Sequence, residues 1–145
     1  VVSMTVFEEF CSSIKSGDLG FFADILEITP SNVMDGGRIL TAQRYVKSWI
    51  ADKLNTASYS IIPAEHFRAV YHVMTEHNPI INQRQFKKQL NKNHIDTETR
   101  KRPAFGGRDS NPIRGVVVNW TTPEETAKHL ADEYFESEDK VLLSV

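Results

Sequence analysis

Apolar residues recur along this chain at helical spacing. Phe7, Phe10, Cys11 and Ile14 stand at i, i+3, i+4 and i+7, the stripe of an amphipathic helix, and Gly17 follows where a left-handed C-cap belongs. Asp18 is a good N-cap for a second helix, with Leu19, Phe22, Ala23 and Leu26 on one face. Phe21, Ile25 and Ile28 fall on its other side, which predicts burial on two faces. Thr29-Pro30-Ser31-Asn32 predicts a break, and Asp35-Gly36-Gly37 a flexible joint. These signals divide a helical lead-in, 1–35, from a main domain, 36–121.

Within the main domain, Ala42, Val46, Trp49 and Ile50 make the stripe of a helix over 40–54. Tyr59-Ser60-Ile61-Ile62 predicts a brief strand, and Pro63 suits the first position of the next helix. There Phe67, Val70, Tyr71 and Met74 repeat the helical rule, Asn78-Pro79 ends it, and Asn82 caps a helix reaching about Asn93. A basic segment, a loop over 105–112 and the β-branched run 113–120 read as a long hairpin. Thr122-Pro123-Glu124-Glu125 has the form of a capping box and opens a last helix faced by Ala127, Leu130, Ala131 and Tyr134. A short apolar tail, Val141-Leu142-Leu143, ends an acidic segment over 122–145. The fold class expected is mainly α with a small β-hairpin (α+β). Helix, strand, helix, helix and hairpin in that order make a winged helix-turn-helix, here preceded by two helices and followed by an acidic C-terminal helix.

Composition adds little until it is divided along the chain. The 145 residues are 40% hydrophobic and 25% charged, which excludes collagen-like, low-complexity and wholly disordered chains. The formal charge of −2 conceals an asymmetry. Residues 84–114 carry nine Lys/Arg against three Asp/Glu, whereas 121–145 carry two against seven. Such a split predicts a face for nucleic acid or another acidic partner.

The basic stretch is also organised. Wound at 100° per residue, the helix from Gln83 turns Phe86 and Leu90 inward and Arg84, Lys88 and Asn91 outward, with Lys87 and Lys92 on the flanks. Lysine and arginine neutralise phosphates, and amides pair with base edges. A solvated outer helix face is the plainer alternative for this helix taken alone. The hairpin favours the nucleic-acid reading, since Arg100, Lys101 and Arg102 cluster on its first arm, Arg108 lies in its loop and Arg114 opens its second arm. The acidic last helix is a candidate cover for this basic surface.

Other chemistry is poorly supported. His66, His72, His77, His94 and His129 form no H-x-x-x-H pair, and Cys11 is alone, so neither a zinc site nor an internal disulfide is expected. Gly36-Gly37 and Gly106-Gly107 do not open a Walker loop. No catalytic residue, cofactor or metal is therefore assigned. No apolar run approaches a membrane span and the start is not a signal peptide, so an intracellular location without membrane contact is expected. The first residue is Val1 rather than Met, which suggests a piece of a longer protein.

The stretches AEHFRAVYHVMTEHNPIINQRQFKKQL and RKRPAFGGRDSNPIRGVVVNW resemble the C-terminal domain of superfamily 3 primase-helicases of phages and plasmids. Phe67, Tyr71, Phe86 and Leu90 carry the helical part of the resemblance, and the run Arg100 to Arg108 with Arg114-Gly115 carries the rest. Relatives often place Gly after the second of these helices, where this chain has Asn93-His94. The resemblance implies a non-catalytic DNA-binding module of a replication enzyme. It also implies a parent in which primase-polymerase and ring-forming helicase domains would precede this one, the ring being the expected source of any oligomer. The rival reading is a docking module for a protein partner or neighbouring subunit of that enzyme.

Overall fold

The computed structural model describes residues 5–29, 33–55, 59–75, 81–103 and 111–135, with only the backbone of 33–36. The fold is mainly helical with one small three-stranded antiparallel sheet.

Helix α1, Val6–Ser16, starts where the Thr5 hydroxyl accepts the Glu8 N–H at 3.1 Å. It ends at Gly17, which takes the left-handed conformation at φ 71°. Any Cβ there would overlap the Asn119 carbonyl, so glycine is required by both conformation and space. Asp18 caps α2, Leu19–Ala23, through the Gly20 N–H at 2.9 Å. The expected longer helix stops short, because the chain tightens into a 3₁₀ turn over Asp24–Glu27. Ile25 is buried there, but Ile28 is exposed, so two-sided burial ends before it. The buried Gln43 amide holds this turn, donating to the carbonyls of Ile25 at 2.9 Å and Ile28 at 2.8 Å.

Helix α3, Val33–Leu54, begins before the anticipated joint and carries Gly36 and Gly37 within it. Two glycines cost a helix about 1 kcal/mol each. The buried stripe farther along, Ala42, Val46, Trp49 and Ile50, anchors the helix despite them. Strand β1, Ser60–Ile62, leads through Pro63 into α4, Ala64–Met74. Asn78-Pro79, expected to end that helix, lies outside the described residues. Helix α5 spans Gln83–Lys92, and strands β2 and β3 span Thr99–Lys101 and Ile113–Val118.

Strands β2 and β3 form the expected antiparallel pair, with Thr99 opposite Gly115, Arg100 opposite Arg114 and Lys101 opposite Ile113. The isolated strand β1 joins the other edge of β3, giving the order β1-β3-β2. Gly115 lies so close to the Ile62 carbonyl that a Cβ would overlap it. Helix α6, Glu124–Tyr134, packs on α3. The capping box before it is not made. The Thr122 hydroxyl instead accepts the Leu19 N–H at 2.8 Å, across the molecule. One core cluster includes Phe10 and Phe22 from the lead-in, Trp49, Phe67, Phe86 and Val118 from the middle, and Ala131 and Phe135 from the end.

Candidate nucleic-acid interface

The candidate interface centres on α5. Asn82 caps it, its side-chain oxygen accepting the Gln85 N–H at 2.8 Å. Phe86 and Leu90 are both fully buried, and Phe86 meets Phe7 and Phe10 edge-on at centroid distances of 5.8 and 6.3 Å. Burial of that stripe leaves Arg84, Lys88, Asn91 and Lys92 exposed, with Lys87 half-buried on the flank.

Two side chains of α4 set the entry to this helix. Arg68 Nε–H donates to the Ile81 carbonyl at 2.6 Å, while His72 Nε2 accepts the Ile81 N–H at 3.2 Å. Burial lowers the His72 pKa, and Arg68 and Arg38 lower it further, which favours the neutral ring that can accept. Periodicity drew attention to the apolar face of α4 but not to this pair, four residues apart on the other side.

At the far end, His94 does what a glycine would do. Its φ of 65° is left-handed, and Ile95 N–H returns to the Leu90 carbonyl at 3.0 Å. Asp96 then accepts the Glu98 N–H at 2.8 Å and the Thr99 hydroxyl at 3.0 Å, turning the chain into β2.

The strand register sorts the remaining cations. Arg100 and Arg114 are a cross-strand pair and share one face of the β2–β3 ribbon, while Lys101 shares the opposite face with Ile113. Lys101 Nζ sits 4.1 Å from the centre of the Tyr59 ring, and the Tyr59 hydroxyl donates to the Arg102 carbonyl. Arg100, Lys101, Arg102 and Arg114 are all exposed. Arg108, the loop cation, lies outside the described residues.

Glu98 joins the helix to the ribbon. Its carboxylate lies 3.4 Å from Lys87 Nζ and 3.5 Å from Arg114 Nε. The structure therefore brings Lys87 of α5 and Arg114 of β3 to one place, where an acidic side chain already meets both. The signal for this was present as one of only three acids within 84–114. Of the acidic segment, α6 packs on α3 and Tyr134 donates to Glu27 Oε1 at 3.0 Å, while Glu136, Glu138 and Asp139 lie outside the described residues.

The described residues include no group of three or more His, Cys, Asp or Glu able to hold a metal ion. No helix among them is long and apolar enough to cross a membrane. Cys11 is buried, and that burial pushes its thiol up to about 11. Comparison of the chain with protein-family models, with curated proteins and with solved structures found no match to any of them.

Proposed function

We propose that this chain is a non-catalytic nucleic-acid-binding module of winged helix-turn-helix type. In this reading it serves as the C-terminal part of a phage-type primase-polymerase or helicase acting in DNA replication. The observation that carries the reading is α5, whose Phe86 and Leu90 are sealed in the core while Arg84, Lys88, Asn91 and Lys92 face outward. Such a helix offers phosphate-binding cations and one amide able to reach a base edge. The Glu98 bridge sets Arg114 beside it, which adds the ribbon to the same surface. The order α3-β1-α4-α5-β2-β3, with β1 beside β3, supports the winged-helix assignment. The parent enzyme is proposed from the sequence resemblance alone.

Binding of single- and double-stranded DNA across a salt series tests the proposal. Affinity should fall with a log–log slope of about −0.7 to −0.9 per phosphate contacted. Replacing Arg84, Lys88 and Lys92 together with Ala should flatten the slope by about two to three contacts, by similar amounts on unrelated sequences. If the stripped variant binds as the parent does, the surface serves a protein partner instead. A ring of subunits multiplies modest affinities, so the comparison is made on an oligomeric fusion as well.

A further inference from the structure

The face of the ribbon that carries Lys101 and Ile113 borders a cleft of about 260 Å³, lined by α3, β1, the start of α4, Pro103 just beyond β2 and Ile113 at the start of β3. That is just below the roughly 300–1,000 Å³ of sites for drug-sized ligands, a size suited to a single ring system. Trp49, Tyr59 and His66 supply aromatic walls, with Pro103 and Ile113 beside them. His66 is fixed by a flat stack on Tyr45, with centroids 3.9 Å apart and planes at 9°. Burial lowers the His66 pKa, so at neutral pH it contributes a ring rather than a charge.

One acidic group stands in these walls. Trp120 Nε1–H donates to Ser60 Oγ at 2.6 Å, and the Ser60 hydroxyl donates to Asp52 Oδ2 at 2.7 Å. This relay holds the carboxylate in one orientation. Its other oxygen, Oδ1, accepts no hydrogen bond among the described residues. A half-buried carboxylate oxygen in an aromatic cleft is matched by an N–H donor on a flat ring. The rim narrows the choice further, since Lys101 lies against Tyr59 and is exposed. This cation beside the cleft opposes a cationic ligand and suits an anionic chain running outside, while Asp52 opposes a phosphate inside.

We propose that this cleft receives one unstacked base of a single-stranded nucleic acid, its exocyclic amino group donating to Asp52 and a neighbouring phosphate meeting Lys101. The proposal rests on the nucleic-acid reading above and gives it a base preference. Cytosine, adenine and guanine carry the amino donor. Thymine and uracil present carbonyl oxygens on both sides of their one N–H, and these face the carboxylate unfavourably. The aromatic walls add stacking that is tolerant of base identity, leaving Asp52 as the discriminating group.

The test uses the 145-residue chain with oligo(dC), oligo(dA) and oligo(dT) of one length at one low salt concentration. Anisotropy gives the affinities, and the Trp120 indole N–H resonance reports on the far end of the relay. Oligo(dC) and oligo(dA) should bind about tenfold more tightly than oligo(dT), the worth of one hydrogen bond to a charged group. The Trp120 resonance should move with oligo(dC). In Asp52→Asn, the amide oxygen can still take the Ser60 bond while an NH₂ donor replaces the open acceptor, so oligo(dT) should become the preferred strand. Equal affinities for all three in the parent protein, with the Trp120 resonance unmoved, overturn the cleft proposal and leave phosphate binding standing. Absence of binding to every oligonucleotide overturns the cleft proposal, and absence of binding to duplex DNA as well, on the oligomeric fusion, overturns the nucleic-acid reading with it. The comparison on the parent protein decides the matter even if Asp52→Asn folds poorly.

Discussion

Glu98 stands between Lys87 and Arg114, where under the proposed function a phosphate would meet the same two cations. All three side chains are more than a third exposed, so the bridges add about 0–1 kcal/mol to stability. Their effect on binding is larger in principle, because an incoming phosphate competes with a carboxylate already in place. Glu98→Gln should therefore leave the melting temperature nearly unchanged while raising DNA affinity at low salt. The salt slope should steepen by about one to two contacts. Unchanged affinity and slope would remove Lys87 and Arg114 from the interface. His72 gives a pH dependence of definite sign. Its pKa lies below the ordinary 6.5 in the folded chain, so the stability it contributes is present above 6.5 and is lost as pH falls through the lower, folded value. His66 is shifted the same way and adds to the loss. His72→Gln keeps an acceptor for the Ile81 N–H and cannot become charged. Its denaturation midpoint should fall less than the parent's between pH 7.5 and 5.5, and an equal fall would show that His72 is not a source of the acid sensitivity.

At the scale of elements, α5 depends on its two buried anchors. Leu90→Ala should cost about 2–5 kcal/mol by equilibrium denaturation, since a fully buried side chain leaves a cavity. A loss below about 1 kcal/mol would mean that the α5 core contact is not formed in solution. The helices of this fold were readable because a 3.6-residue repeat of large apolar groups is a local signal, and the Phe67-Val70-Tyr71 and Phe86-Leu90 stripes proved to be the buried ones. What periodicity could not supply was long-range. The pairing of β1 with β3 joins Ser60 to Val118, and nothing local in either strand selects that partner. The joint foreseen at Gly36-Gly37 was a propensity inference, and tertiary anchoring of α3 outweighed it. The box at Thr122 was a correct motif put to another use, because a distant N–H at Leu19 took the hydroxyl. At the candidate interface, the outward positions on α5 were legible from helix geometry alone. The sorting of Arg100, Lys101 and Arg114 onto two ribbon faces needed the strand register, and the role of Glu98 needed the juxtaposition of α5 with β3.

Across the whole molecule, the first and last described helices are parts of one core. Phe10 meets Phe22, Phe67, Tyr71 and Phe86 at centroid distances of 5.3–6.3 Å, and Ala131 and Phe135 close the same cluster from the other end. The acidic α6 is thus a structural element, and removing it to unmask a basic surface would remove core instead. A chain cut after Val118 loses Trp120, Ala127, Ala131 and Phe135 from the buried set. Its thermal transition should become broad, and its amide proton spectrum poorly dispersed. A sharp transition at the parent's temperature would show that the end of the chain is dispensable to the core. The stitch between Gly17-Leu19 and Thr121-Thr122 has a further consequence, in time rather than in space. Thr121 N–H reaches the Gly17 carbonyl at 3.0 Å, and the Thr122–Leu19 bond spans 103 positions of sequence. Synthesis delivers residues at about 5–20 per second, so the α1–α2 corner waits roughly 5–20 seconds on the ribosome for the threonines that complete it. During that interval Phe10 and Phe22 have only part of their final surroundings. Early apolar surface must be held by transient contacts or by a chaperone until the corner is closed.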